Sequence, residues 1–156
     1  MWQGITSKLQ EDGYVYLEAF EPKRTTQEIA ASLGSISIIP DIPIVQILKP
    51  TTRQDSTSNV YSGNYGLGKF PLHTDLAHLH LPPRYFMLRC IIPAQNVFTS
   101  LIPTEIAING LTESTILRAI FKPRRRIQGR ISLLRFDQHI ENHTLFRWDQ
   151  LFLGFT

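Results

Sequence analysis

The sequence predicts an α+β protein that is mainly β, a sandwich or barrel of strands with helices flanking it. Three observations lead there. Short β-branched and aromatic runs recur, each bounded by Gly, Pro or polar clusters. One stretch carries clear helix start and stop signals. The composition is globular, with 42% hydrophobic and 19% charged residues. A chain of 156 residues fits a single domain with a real core.

In chain order, Gly13-Tyr14-Val15-Tyr16-Leu17 reads as a strand after a turn residue. Thr25-Thr26-Gln27-Glu28 reads as a helix start, a threonine cap with an acid in the first turn, and the helix runs on to Leu33 and stops at Gly34. Ile44 to Leu48 is a second expected strand, ended by Lys49-Pro50, and the polar stretch Thr51 to Ser58 is an exposed loop. Asn59 to Gly68 is rich in glycine but lacks the Lys-Ser/Thr pair of a phosphate loop, so it reads as a flexible loop over a pocket. Further strands are expected at Tyr85 to Ile92, Asn96 to Ile102 and Ile131 to Phe136. The intervening Thr104 to Ile120 carries apolar residues at mixed helical spacing. Cys90 reads as a small core residue. As the single cysteine it excludes an internal disulfide and a thiolate zinc cluster.

No apolar run approaches the ~20 residues of a membrane span, and the first residues show no basic and apolar leader. No membrane partner and a reducing cytoplasm are therefore the expectations. The net charge of +3 comes mostly from Lys122-Pro123-Arg124-Arg125-Arg126 with Arg130 and Arg135. Such a cluster is either a solvated face or a site for phosphates or an acidic substrate. No aromatic residue interleaves it, so nucleic acid is not the expected partner.

The chemistry concentrates at His73-Thr74-Asp75. On an extended segment, side chains repeat every second residue, so imidazole and carboxylate share one face. Both can then reach one metal ion, as in the two-histidine, one-carboxylate triad of non-haem iron sites; a zinc hydrolase would use similar residues tetrahedrally. His78 and His80 follow at spacing that sends both to one side, where they line the substrate pocket, substitute as ligands, or are simply partly exposed or hydrogen-bonded in the core.

Phe70-Pro71-Leu72-His73-Thr74-Asp75, then Pro82-Pro83-Arg84-Tyr85 and Leu88-Arg89-Cys90, resemble the taurine dioxygenase and clavaminate synthase relatives among the iron(II)/2-oxoglutarate dioxygenases. The resemblance spans Tyr61 to Ile102 and extends more weakly to Asp12-Gly13-Tyr14 and to Ile131 through Asp137. It implies a jelly-roll (double-stranded β-helix) fold, Fe(II) as cofactor and 2-oxoglutarate as co-substrate. It also implies hydroxylation of a small-molecule substrate, an amino acid or natural-product intermediate. His73 and Asp75 would ligate iron, and Thr99, with Ser100 next in line, would hold the distal carboxylate of 2-oxoglutarate. At Thr99 the chain departs from the family: Asn96-Val97-Phe98 stands where relatives carry a Gly-Gly pair. Asn64, Tyr65 and Phe70 are candidate substrate contacts, the two aromatics being equally at home as packing residues.

The family also uses a second histidine and a 2-oxoglutarate-binding arginine in a His-Gly-Arg-like segment. Downstream of the first pair stand only His139 and His143, neither followed by Gly and Arg. His143, with His139 beside it, is the candidate third metal ligand. The expectation is an incomplete jelly roll corresponding to the amino-terminal two-thirds of a longer domain. A homodimer would then cover its open sheet edge, and the rival reading is a non-catalytic β-domain acting as a binding or dimerisation module.

Overall fold

A computed structural model describes residues 2–156. The chain forms two compact units, one from Met1–Leu48 with Met87–Val97, the other from Lys49–Phe86 with Phe98–Thr156.

In the first unit, helix α1 (Trp2–Asp12) ends at Gly13, which adopts φ 77° and donates its N–H to the Leu9 carbonyl at 3.1 Å. That left-handed turn suits glycine, which has no Cβ to clash. Helix α2 (Thr26–Leu33) begins as the sequence predicts. The Thr25 hydroxyl accepts the Glu28 N–H at 3.2 Å, and the Glu28 carboxylate accepts the Thr25 N–H at 2.7 Å. This reciprocal capping box satisfies two otherwise orphaned donors. Ile5 of α1 and Ile29 of α2 are buried.

The second unit holds three short helices, α3 (Tyr61–Tyr65), α4 (Thr104–Ala107) and α5 (Glu113–Arg118), and all five strands. Strands β1 (Ile120–Pro123), β2 (Leu134–Arg135) and β5 (Leu153–Phe155) form an antiparallel sheet in the order β2-β1-β5. Phe121 sits opposite Leu134 on one side and Phe155 on the other. Strands β3 (Asp137–Ile140) and β4 (His143–Phe146) form a separate antiparallel hairpin. Strand β1 alternates exposed and buried residues, which turns Phe121 into a core of Ala77, Leu134, Phe136 and Leu153.

The mixed α+β class holds, but most of the expected strands do not form. Residues 13–17, 44–48, 85–92 and 96–102 belong to no strand, and 131–136 contributes only β2. The helical patch at 104–120 yields α4, α5 and the start of β1. The reason is that strand propensity measures fit to a pleated, half-buried surface, and a strand exists only with a ladder neighbour. Without one, Ile47 and Ile92 stand 81% and 85% exposed. Cys90, expected in the core, is exposed with its segment.

Candidate functional site

His73 and Asp75 do come together. Pro71, just before them, offers its carbonyl to His73 Nδ1 at 2.8 Å. A carbonyl only accepts, so Nδ1 carries the proton and Nε2 of the neutral ring carries a lone pair. Nε2 faces Asp75 Oδ1 at 3.8 Å. Partial burial raises the Asp75 pKa above the usual carboxylate value, opposed by His73 and reinforced by Asp149.

The segment carrying this pair is held by residues far along the chain. Between the two donors, the Thr74 N–H donates to the Trp148 carbonyl at 2.7 Å, and the Trp148 N–H donates back to the Thr74 hydroxyl at 3.0 Å. Tyr61 stacks on the His73 ring at 4.4 Å between centroids and donates its hydroxyl to Asp149 Oδ1 at 2.8 Å. The same oxygen accepts the N–H groups of Leu151 and Phe152 at 2.8 and 2.9 Å. Burial, then the Asp149 bond, drives the Tyr61 phenol well above its ordinary range, so it stays a donor.

Beyond Asp75 the chain turns, and Arg147 grips the turn from inside. Its side chain is fully buried. Nη1 donates to the carbonyls of Ala77 and Leu79 at 3.0 and 2.5 Å, and Nη2 to the His80 carbonyl and Gln138 Oε1 at 2.6 and 2.5 Å. Burial pushes the guanidinium pKa down to about 10, which leaves it charged at neutral pH.

The remaining candidates divide. Tyr65 and Phe70 join Tyr61 in an aromatic wall beside His73, with centroid distances of 5.4 to 6.0 Å. The Tyr65 hydroxyl also accepts from Gln150 at 3.0 Å. Asn64 donates its amide to the Ser58 and Val60 carbonyls at 2.7 and 2.9 Å, so it ties the loop and keeps only its oxygen for a ligand. The glycine-rich stretch is more tightly built than a free loop, because a Cβ on Gly63 would overlap the Thr57 carbonyl.

Thr99 and Ser100 lie exposed outside any helix or strand. His143 sits on β4, and His139 on β3 bonds the Thr144 hydroxyl at 3.0 Å. Among the described residues no group of three His, Cys, Asp or Glu side chains is placed to hold a metal, so neither histidine joins the pair. The hairpin β3–β4 pairs with itself, which explains where these histidines go.

The sequence reading passed over Tyr61 and the Arg147-Trp148-Asp149 segment. A signal was present: two charged residues inside an otherwise apolar stretch must be either solvated or paired. Comparison of the chain with protein families, with curated proteins and with solved structures finds no match. Among the described residues no helix is long and apolar enough to cross a membrane.

Proposed function

We propose that the chain carries a metal site of the iron(II)/2-oxoglutarate oxygenase type, within a jelly-roll-derived domain of the cytoplasm that acts on a small amino acid or natural-product intermediate. One observation supports it above the others. His73 Nδ1 is anchored on the Pro71 carbonyl at 2.8 Å, which leaves Nε2 turned toward an Asp75 oxygen at 3.8 Å. A metal ion could take both as ligands, and a histidine whose other nitrogen is anchored on a carbonyl is the usual metal-binding arrangement.

Imidazole and carboxylate are the donor types iron(II) accepts, so His73 and Asp75 would hold the ion. When bound with 2-oxoglutarate, iron supplies the oxidation of an unactivated carbon. The chain's own residues position and exclude. Pro71 fixes the tautomer, Thr74 and Trp148 hold the backbone between the donors, and Tyr61, Tyr65 and Phe70 present an apolar wall to the substrate side. Thr99 and Ser100 remain the proposed partners of the 2-oxoglutarate carboxylate.

The test is anaerobic titration with iron(II) and 2-oxoglutarate, following the visible charge-transfer band of the chelate. The expected result is a saturable band that His73→Ala abolishes. Iron affinity unchanged in that variant overturns the assignment.

A second reading, a non-catalytic binding or dimerisation module, draws support from the absence of a third metal-ligating side chain beside the pair among the described residues. It predicts a folded protein, monomer or dimer, with no 2-oxoglutarate-dependent oxygen uptake.

A further inference from the structure

The arginine cluster is unused by the metal site, yet the structure gives it a defined shape. Ile127 and Arg130 close a tight turn on each other, with N–H to carbonyl distances of 2.8 and 3.0 Å. Between them Gln128 and Gly129 adopt φ 49° and 76°. Two consecutive left-handed residues are the signature of a type I′ turn, a stiff hairpin tip.

Ile127, Gln128 and Arg130 of this hairpin line a cleft of about 420 Å³ together with His78, His80 and Ser132. That volume falls in the range of small-molecule sites. A smaller hollow of about 110 Å³ shares His78, Pro123 and Ile127 with it and adds Arg125 and Arg126.

No carboxylate lines either space. Among the described residues the close contacts between basic and acidic side chains are Lys8–Asp12, His73–Asp75 and Arg135–Asp137, so none neutralises Arg125, Arg126 or Arg130. Neutral groups orient two of these arginines instead. Arg125 donates to the Asn59 carbonyl at 2.6 Å and lies over the Phe152 ring at 5.5 Å, while Arg126 donates to the Gly129 carbonyl at 3.1 Å. They are positioned but keep their full charge. His78, common to both spaces, has a buried Nδ1 without a hydrogen-bond partner.

We propose that this cleft binds a small, multiply charged oxyanion, a diphosphate or polycarboxylate. Arg130 supplies charge in the cleft itself and Arg126 from the adjoining hollow, with Gln128 and Ser132 as neutral hydrogen-bonding groups and His78 and His80 also in the lining. Phe152, the phenyl ring in the adjoining hollow, lies under Arg125 rather than open for base stacking, so the site suits a compact anion better than a nucleic-acid strand.

The experiment is calorimetric titration of the full chain with pyrophosphate and, separately, citrate at roughly physiological salt, where diffuse surface attraction is screened. The two arms distinguish phosphate from carboxylate. Saturable one-to-one binding of one of them is expected, weakened about tenfold or more in the Arg126→Gln, Arg130→Gln double variant, because charge-assisted hydrogen bonds are lost. An Arg84→Gln, Arg118→Gln double variant, with the same loss of charge outside the cleft, should bind like the parent. On the parent itself, the ring signals of His78 and His80 should move with ligand while those of His139 and His143 stay. Absence of saturable binding by both anions overturns the proposal, as does equal weakening in the control variant. So does an oligonucleotide that binds with steep salt dependence and is not displaced by pyrophosphate.

Discussion

Two arginines in this chain do the same job in different surroundings. In the first unit, Arg89 clasps the loop before α2, donating to the carbonyls of Arg24, Pro22 and Glu21 at 2.6, 3.2 and 3.4 Å. In the second, Arg147 clasps the turn after Asp75 through three carbonyls and a glutamine oxygen. Arg89 is half-buried, whereas Arg147 is entirely out of solvent. Removing the first lets its carbonyls return to water. Removing the second strands the Ala77 and Leu79 carbonyls in the core, and the cost of an unmade buried hydrogen bond exceeds the net gain of a made one. The same contact is a surface staple in one place and a strut of the candidate site in the other.

The sharpest way to break that comparison is Arg147→Ala. It should destabilise the second unit by about 3 kcal/mol or more, since several buried acceptors lose their donor at once. Urea unfolding monitored by tryptophan fluorescence checks this, and a loss below that of Arg89→Ala contradicts the argument. Next is Asp149→Ala, which removes the acceptor of the Tyr61 hydroxyl and of two backbone N–H groups and should cost about 2 kcal/mol. If Tyr61 positions His73, the same variant should also lower iron(II) affinity, while the stacking-preserving Tyr61→Phe lowers it less.

Arg89→Ala should cost only about 1 kcal/mol, because its carbonyl partners are accessible to water. Thr25→Ala, at the start of α2, should cost about the same, through loss of the helix cap. A finer effect follows from Glu28, whose pKa the Thr25 hydroxyl and N–H bonds hold below the ordinary 4.5. A carboxylate with a depressed folded-state pKa adds stability above its unfolded pKa and loses it as pH falls through the folded one. The α2 contribution to far-UV circular dichroism should therefore be flat above 4.5 and decline below it. Thr25→Ala should flatten that decline.

Local chemistry determined the parts that depend on neighbours in sequence. The capping box of Thr25 and Glu28 needs residues three apart, and it forms as read. The His73–Asp75 pair needs residues two apart, and their donor atoms share one side. His78 and His80 also line one cleft, but from a turn at 75–80 rather than the expected extended run. By itself the sequence also set the charge of the arginine cluster and the absence of any second cysteine.

Tertiary structure alone decided which apolar runs became strands, because a ladder needs a partner that no single segment specifies. Ile120 to Pro123 found partners on both sides, while the equally apolar Tyr85 to Ile92 found none. It also decided what holds the candidate site. Arg147 and Trp148 lie 67 to 74 residues from the segment they hold, and only the folded chain brings a buried charge to carbonyls that would otherwise stay with water.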